Sequence, residues 1–242
     1  MSTYVTLVNK VLVRMNEVTL ATSGDGFDSV RNVQALAKEA VNTSIRGILQ
    51  FKQEWPFLKT TYTQTLAAGT RLYDFPADMS TVDWDTFYIK QLNDQNAPMH
   101  LSAMTYEEYI KNYRRLDDQG DSGVGIGAPL RIYKTYESKF GATPVPNAAY
   151  EIEYVYFSFP NDLTLYNDSC IIPSRFDHVV VDGAMMYMMR FRSNDQSAMI
   201  HKEAYETGIK TMQRLLLDEP EYVRSTVIAS PTKFASASLK VS

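Results

Sequence analysis

The sequence predicts an α+β fold: a helical bundle drawn from both ends of the chain, an antiparallel β-rich insert, and an extended C-terminal arm. Three observations predict it. Apolar residues recur at helical spacing near both ends of the chain. The middle is rich in Thr and Tyr and alternates at period two. The last stretch has no acid after Glu221 and fills with Ser, Ala and Thr. The division is 1–56 and 173–219 for the bundle, 57–172 for the β-rich insert with one short helix, and 220–242 for the arm.

Residues 3–18 place Tyr4, Leu7, Val8, Val11, Leu12 and Met15 on one face of a first helix. "ATSGDGFDS" reads as a loop, and Ser29 as the cap of the next helix. That helix turns Val33, Leu36, Ala37, Ala40, Val41, Ile45, Ile48 and Leu49 to one side. It ends near "EWPF", because Pro56 disfavours helix at Trp55. "LKTTYTQTL" is a strand, "AAGT" a turn and "RLYDF" the return strand, with Tyr73 and Phe75 on one face. "DWDTFYIKQL" and the run into "PMHL" form a second hairpin around "NDQN". Thr105 caps a short helix, and its spacing to Glu108 is that of a capping box.

"LRIYKTYE" and "AYEIEYVYFSF" are two further strands joined by "SKFGATPVPNA". The second puts Ile152 and Tyr154 on one face and Glu151 and Glu153 on the other, so one side of the sheet is wet. Pro173 suits the first turn of a helix. "FDHVVVDGAMMYMMRF" is apolar almost all round and reads as the buried central helix. "SND" breaks it. A last helix lines up Ala198, His201, Ala204, Tyr205, Gly208, Ile209, Met212, Leu215 and Leu216, and Pro220 ends it.

Composition narrows function. At 242 residues the chain is long enough for a sizeable core, and 45% hydrophobic with 21% charged residues is the balance of a soluble globular protein. A net charge of −4 lacks the basic excess of a dedicated DNA-binding surface. The 16 tyrosines, 11 phenylalanines and 11 methionines suit interfaces as well as cores. The single cysteine, Cys170, excludes an intrachain disulfide and fits a reducing cytoplasm during synthesis. No signal peptide and no membrane span are read.

Each catalytic or metal pattern falls short. Gly120, Gly123, Gly125 and Gly127 miss the phosphate-loop spacing, and a strand follows them rather than a helix. Asp117, Asp118 and Asp121 miss a calcium loop, because no glutamate stands at the closing twelfth position; they read as a solvated acidic loop. His100, His178 and His201 form no metal motif, and Cys170 reads as a semi-buried bystander. Lys111, Arg114 and Arg115, interleaved with Tyr109 and Tyr113, would suit base stacking. Flanking acids make them a salt-bridged helix face instead. The expectation is no catalytic residue, no metal and no cofactor.

An ordered set of marks over residues 1–217 carries a resemblance: a helical pair ending in "FKQEWPFL", then "GTRLYDFPADM", "DTFYIKQL", "TYEEYIKNY", "PLRIYKTYE", "YEIEYVYFSFP", "NDLTLYND" and "IIPSRFDHVVVDGAMMYMM". In this the chain resembles the head-to-tail adaptor proteins of tailed bacteriophages, the group that includes tail tubular protein A of short-tailed phages. The resemblance implies a non-enzymatic virion protein built as a helical bundle with a β-rich insert. It implies rings, typically dodecameric, that sit beneath the portal protein, seal it, extend its DNA channel and carry the tail nozzle or tail tube. Genomic DNA would pass through the lumen without specific binding, and no membrane is involved. The arm, with Val227, Ile228, Phe234 and Leu239 as apolar anchors and Lys233 and Lys240 as charges, would bind the portal or a neighbouring subunit. Two alternatives stay open: another neck or tail-completion protein, and an enzyme with a site assembled from Asp177, His178 and His201.

Overall fold

The computed structural model describes residues 1–21, 24–28, 30–90, 99–118 and 125–217. Seven helices lie among them: α1 (Tyr4–Arg14), α2 (Gly24–Asp28), α3 (Asn32–Phe51), α4 (Tyr106–Asn112), α5 (Arg114–Asp118), α6 (Asp177–Phe191) and α7 (Asp195–Leu216). Ten strands are β1 (Lys59–Leu66), β2 (Leu72–Asp74), β3 (Met79–Ile89), β4 (Met99–His100), β5 (Ser102–Met104), β6 (Ile126–Gly127), β7 (Arg131–Lys134), β8 (Lys139–Thr143), β9 (Val145–Pro146) and β10 (Tyr150–Ser158). The chain is mixed α and β, and most strand pairs are antiparallel.

α1, α3, α6 and α7 bury their apolar faces in one continuous cluster. Helical spacing forecast this for α1, where Tyr4, Leu7, Val8, Val11 and Leu12 are all buried. α1 has no side-chain cap. Its first amides are satisfied from the far end of the insert: Tyr4 N–H donates to the Asp168 carbonyl at 2.8 Å and Val5 N–H to that of Tyr166 at 3.1 Å. Cys170 N–H returns a bond to the Ser2 carbonyl at 2.9 Å. Asn42, buried in α3, donates to the Leu163 carbonyl at 2.9 Å and so ties the same segment to a second helix.

α6 is the buried central helix, with Val179, Val180, Val181, Ala184, Met185 and Met188 all within the cluster. Its small residue Gly183 lets neighbours close in. A Cβ there would lie 2.2 Å from Ser44 Oγ and 2.6 Å from Tyr205 Cε2. Ser44 Oγ in turn donates to the Val180 carbonyl at 2.8 Å, and Tyr205 Oη to the Ser44 carbonyl at 3.0 Å.

Two four-stranded sheets, in the orders β1-β10-β3-β4 and β2-β8-β7-β5, meet over a second apolar cluster. Its centre is aromatic. Phe140 of β8 lies 5.6 Å from Phe87 of β3 and 5.9 Å from Tyr154 of β10, which stacks on Phe87 at 4.4 Å. Tyr73 and Phe75 do share a face, and both rest on Phe140, at 5.5 and 5.1 Å. The wet face of β10 is also as read: Ile152 and Tyr154 are buried, while Glu151 is exposed. β3 and β4 pair as expected, and their connection at 91–98 lies outside the described residues.

Several expectations need correction. The stretch read as a loop after α1 contains α2, whose Phe27 is fully buried under the Lys38 ammonium, 3.9 Å from its ring. α3 starts without a side-chain cap at Arg31, and Ser29 lies outside the described residues. β2 is not the return strand of β1; it pairs with β8, in the other sheet. The connection "SKFGATPVPNA" holds β8 and β9, because Gly141 lets the Tyr133 ring sit where a Cβ would be, 2.1 Å from its Cζ. Two pairs, β5 with β7 and β6 with β9, are parallel. Pro173 precedes one 3-10 turn, Ser174–Phe176, rather than lying in the first turn of α6. On α7, Ala204 and Leu215 are exposed instead of buried.

Met185→Asp should destabilise the protein by at least about 3 kcal/mol, because it places an unpaired carboxylate in the apolar cluster. Gly183→Ala should cost about 1–3 kcal/mol through overpacking against Ser44 and Tyr205. Urea unfolding of both variants checks this; a wild-type midpoint for Met185→Asp would remove α6 from the core.

Candidate assembly site

Between the second sheet and α4 lies a groove of about 770 Å³ lined by Trp84, Met104, Tyr106, Lys134 and Tyr136. A second depression of about 580 Å³ continues from it across Trp84 and Lys134 to Phe75, Pro76 and Met79. Local rules place each wall. Thr105 caps α4, accepting from Glu108 N–H at 3.2 Å, and this aims Tyr106 and Tyr109 back at β7. Tyr109 stacks on Tyr133 with centroids 3.8 Å apart. Tyr106 meets the edge of Tyr136 at 5.0 Å, and Tyr136 is 84% exposed. Large amphipathic rings held open to water at a groove rim suit protein contacts better than small-molecule chemistry.

Under the groove sits a polar cluster. Asp117 is buried and accepts from Thr143 Oγ1 at 3.0 Å. Its other oxygen, Tyr109 Oη and Tyr133 Oη are buried with no hydrogen-bond partner among the described residues. Burial pushes the Asp117 carboxyl above the usual carboxylate range, against the pull of Thr143 and of the Arg71 charge. The neighbouring Asp118 takes Arg71 at 2.9 Å and Arg114 at 3.8 Å.

This corrects the solvated acidic loop: Asp117 faces inward, while Gly120, Asp121 and Gly123 lie outside the described residues. The salt-bridged reading of the basic cluster fits Arg114, and Tyr109 is too buried to stack a base. Cys170 is fully rather than partly buried, and burial pushes its thiol up to about 11.

Of the remaining candidates, Asp177 and His201 are engaged with different partners. Asp177 accepts from Lys10 Nζ at 2.6 Å and from Ser2 Oγ. His178 is exposed beside a depression between α1 and α6. His201 Nδ1 lies 3.5 Å from Asp182, which Arg14 also holds at 2.6 Å. Among the described residues no group of three or more His, Cys, Asp or Glu could hold a metal ion. No helix among them is long and apolar enough to cross a membrane. The arm residues Val227, Ile228, Lys233, Phe234, Leu239 and Lys240 lie outside the described residues.

Sequence reading missed the groove, whose walls come from β3, β5, α4 and the turn after β7. Its one sequence signal was the tyrosine spacing at 106, 109, 133 and 136.

A fold with a built aromatic groove, and with Asp177 and His201 held by different partners, fits a structural, partner-binding protein. The family model of the SU10 adaptor protein matches residues 2–228, and the chain belongs to that family of phage head-to-tail adaptors. No curated protein matches the chain significantly.

Asp117 gives a pH test. Its folded-state affinity for a proton exceeds its unfolded one, so this group's contribution to stability falls as pH rises through the carboxylate range and then levels off. Asp117→Asn takes up no proton there. The variant should gain stability relative to wild type between about pH 4 and pH 7. Urea midpoints at both pH values measure it, and a constant difference would refute the assignment.

Proposed function

We propose that this chain is the ring-forming head-to-tail adaptor that docks beneath the portal of a tailed phage, in the neck of the virion. The observation that carries this reading is the family match over nearly the whole chain. In it, residues 1–56 and 173–219 act as the helical body, 57–172 as the β-rich insert and 220–242 as the assembly arm. Rings, dodecameric by resemblance, seal the portal, extend its channel and present a platform to the tail nozzle or tube.

The surface supports this reading. A closed ring is built from head-to-tail contacts, which need two different patches on each subunit. Val13, Phe191, Met199 and Ile200 are exposed on the helices, each more than 60%. Trp84, Tyr106 and Tyr136 line the groove at the β-rich part. The net charge of −4 also suits a channel through which DNA slides, since a strongly basic lumen would hold phosphates by counterion release.

Truncation after Glu221 tests the arm. The shortened protein should keep its melting temperature and lose attachment to portal-bearing filled capsids in co-sedimentation. Equal attachment would refute the arm; unfolding would mean that it packs on its own core. Mass measurement of the full chain, alone and with portal, tests the ring, and a strictly monomeric chain in both would overturn it.

A further inference from the structure

The edges of the two large sheets are not alike. β4, β2 and β5 have two, three and three residues, and short edges resist unwanted pairing. β1 is the exception. It runs for eight residues and pairs only with β10, so its outer edge is unpaired among the described residues. The ladder is unbroken from Lys59 opposite Phe157 to Leu66 opposite Tyr150, so no bulge blunts it. No proline or charge lies between Thr60 and Leu66. Nor does burial account for the length of β1. Residues 59–63 are all exposed, and Tyr62, 38% exposed, touches Tyr154 and Tyr156 only by its edge, at 5.7 and 6.2 Å. A strand that is long and free of bulges, charged only at its first residue, yet buries little, is a template for another strand.

We propose that residues 222–230 of a neighbouring copy add to β1 as a further strand. The proposal rests on the ring reading above. "YVRSTVIAS" is nine residues rich in β-formers, with no proline until Pro231, and an edge of eight residues spans about 26 Å. The family match runs on to residue 228, past the end of α7, so it takes in most of this segment. Charge agrees. Next to β1, on β10, Glu151 and Glu153 lie opposite Thr65 and Thr63, and one ammonium, Lys90, bridges both at 2.9 and 3.1 Å. One negative charge is left over there, and Lys59 stands at the far end of the strand with Asp83 3.7 Å away. Residues 222–242 carry Arg224, Lys233 and Lys240 and no acid.

Cysteine pairing in the full-length chain tests this. Thr61→Cys, Thr63→Cys and Thr65→Cys are each combined with Val227→Cys and, separately, with Ile228→Cys, so that either face of the added strand is sampled, and the protein is oxidised under ring-forming conditions. Cys170, 1% exposed, stays out of the reaction. The expected result is a disulfide between copies for at least one pair. Consumption of both thiols within single chains would place the strand on its own β1 and overturn the proposal. Free thiols in all six pairs would also overturn it. If truncation after Glu221 still abolishes attachment in that case, the assembly arm stands and only its place on β1 fails. A second measurement does not depend on cysteine chemistry. Amide exchange within residues 59–66 should slow by about tenfold or more on assembly of the full chain but not of the truncated one. Equal exchange in both would refute the added strand.

Discussion

The helical body depends on one close approach. Tyr205 of α7 lies across Gly183 of α6 and reaches Gly47 of α3, where a Cβ would stand 2.6 Å from its hydroxyl. Its hydroxyl bonds the Ser44 carbonyl, and Ser44 bonds α6 in turn. Three helices from opposite ends of the chain are thus locked through small residues and two hydrogen bonds, one buried and one part-buried. Any side chain at position 183 would push α3 and α7 apart and open the cluster that α1 also fills.

The β-rich part leaves this body at α3 and returns to it at α6, and its entry and exit are tied together. Ser158 Oγ at the end of β10 donates to the Leu58 carbonyl at 3.3 Å, just before β1 begins. Trp55 is fully buried and donates to the Ile48 carbonyl at 2.9 Å, and Phe157 and Phe159 pack on the helical cluster. The entry and exit of the β-rich part are therefore both anchored on the helical cluster.

The four long helices α1, α3, α6 and α7 were the legible part of the sequence, because their apolar residues repeat over several turns and the repeat itself points to the buried face. The alternation in β10 was legible for the same reason. Apart from β3 with β4, strand partners were not. "AAGT" signals a turn after β1, but β2 is claimed by β8 through the Tyr73–Phe140 stack, a contact that no local pattern encodes. β8 was hidden because Gly141 looks like a loop residue, while its real use is to admit the Tyr133 ring. Asp117 looked solvated because its partner, Thr143, is remote in sequence. The groove was illegible on the same ground, since its walls come from separate elements and only the fold brings Trp84 beside Tyr106 and Tyr136. Family membership was legible from the order of short marks along the chain.

The bonds between residues 2–5 and 166–170 bear on synthesis. A ribosome makes α1 first, yet the carbonyls that satisfy its first amides are made about 160 residues later, on the order of ten seconds at usual elongation rates. Until then α1 and α3 also lack α6 and α7, the surfaces that bury them. The helical body is thus completed only when α7 has emerged, so a nascent chain has no finished helical surface to offer its neighbours.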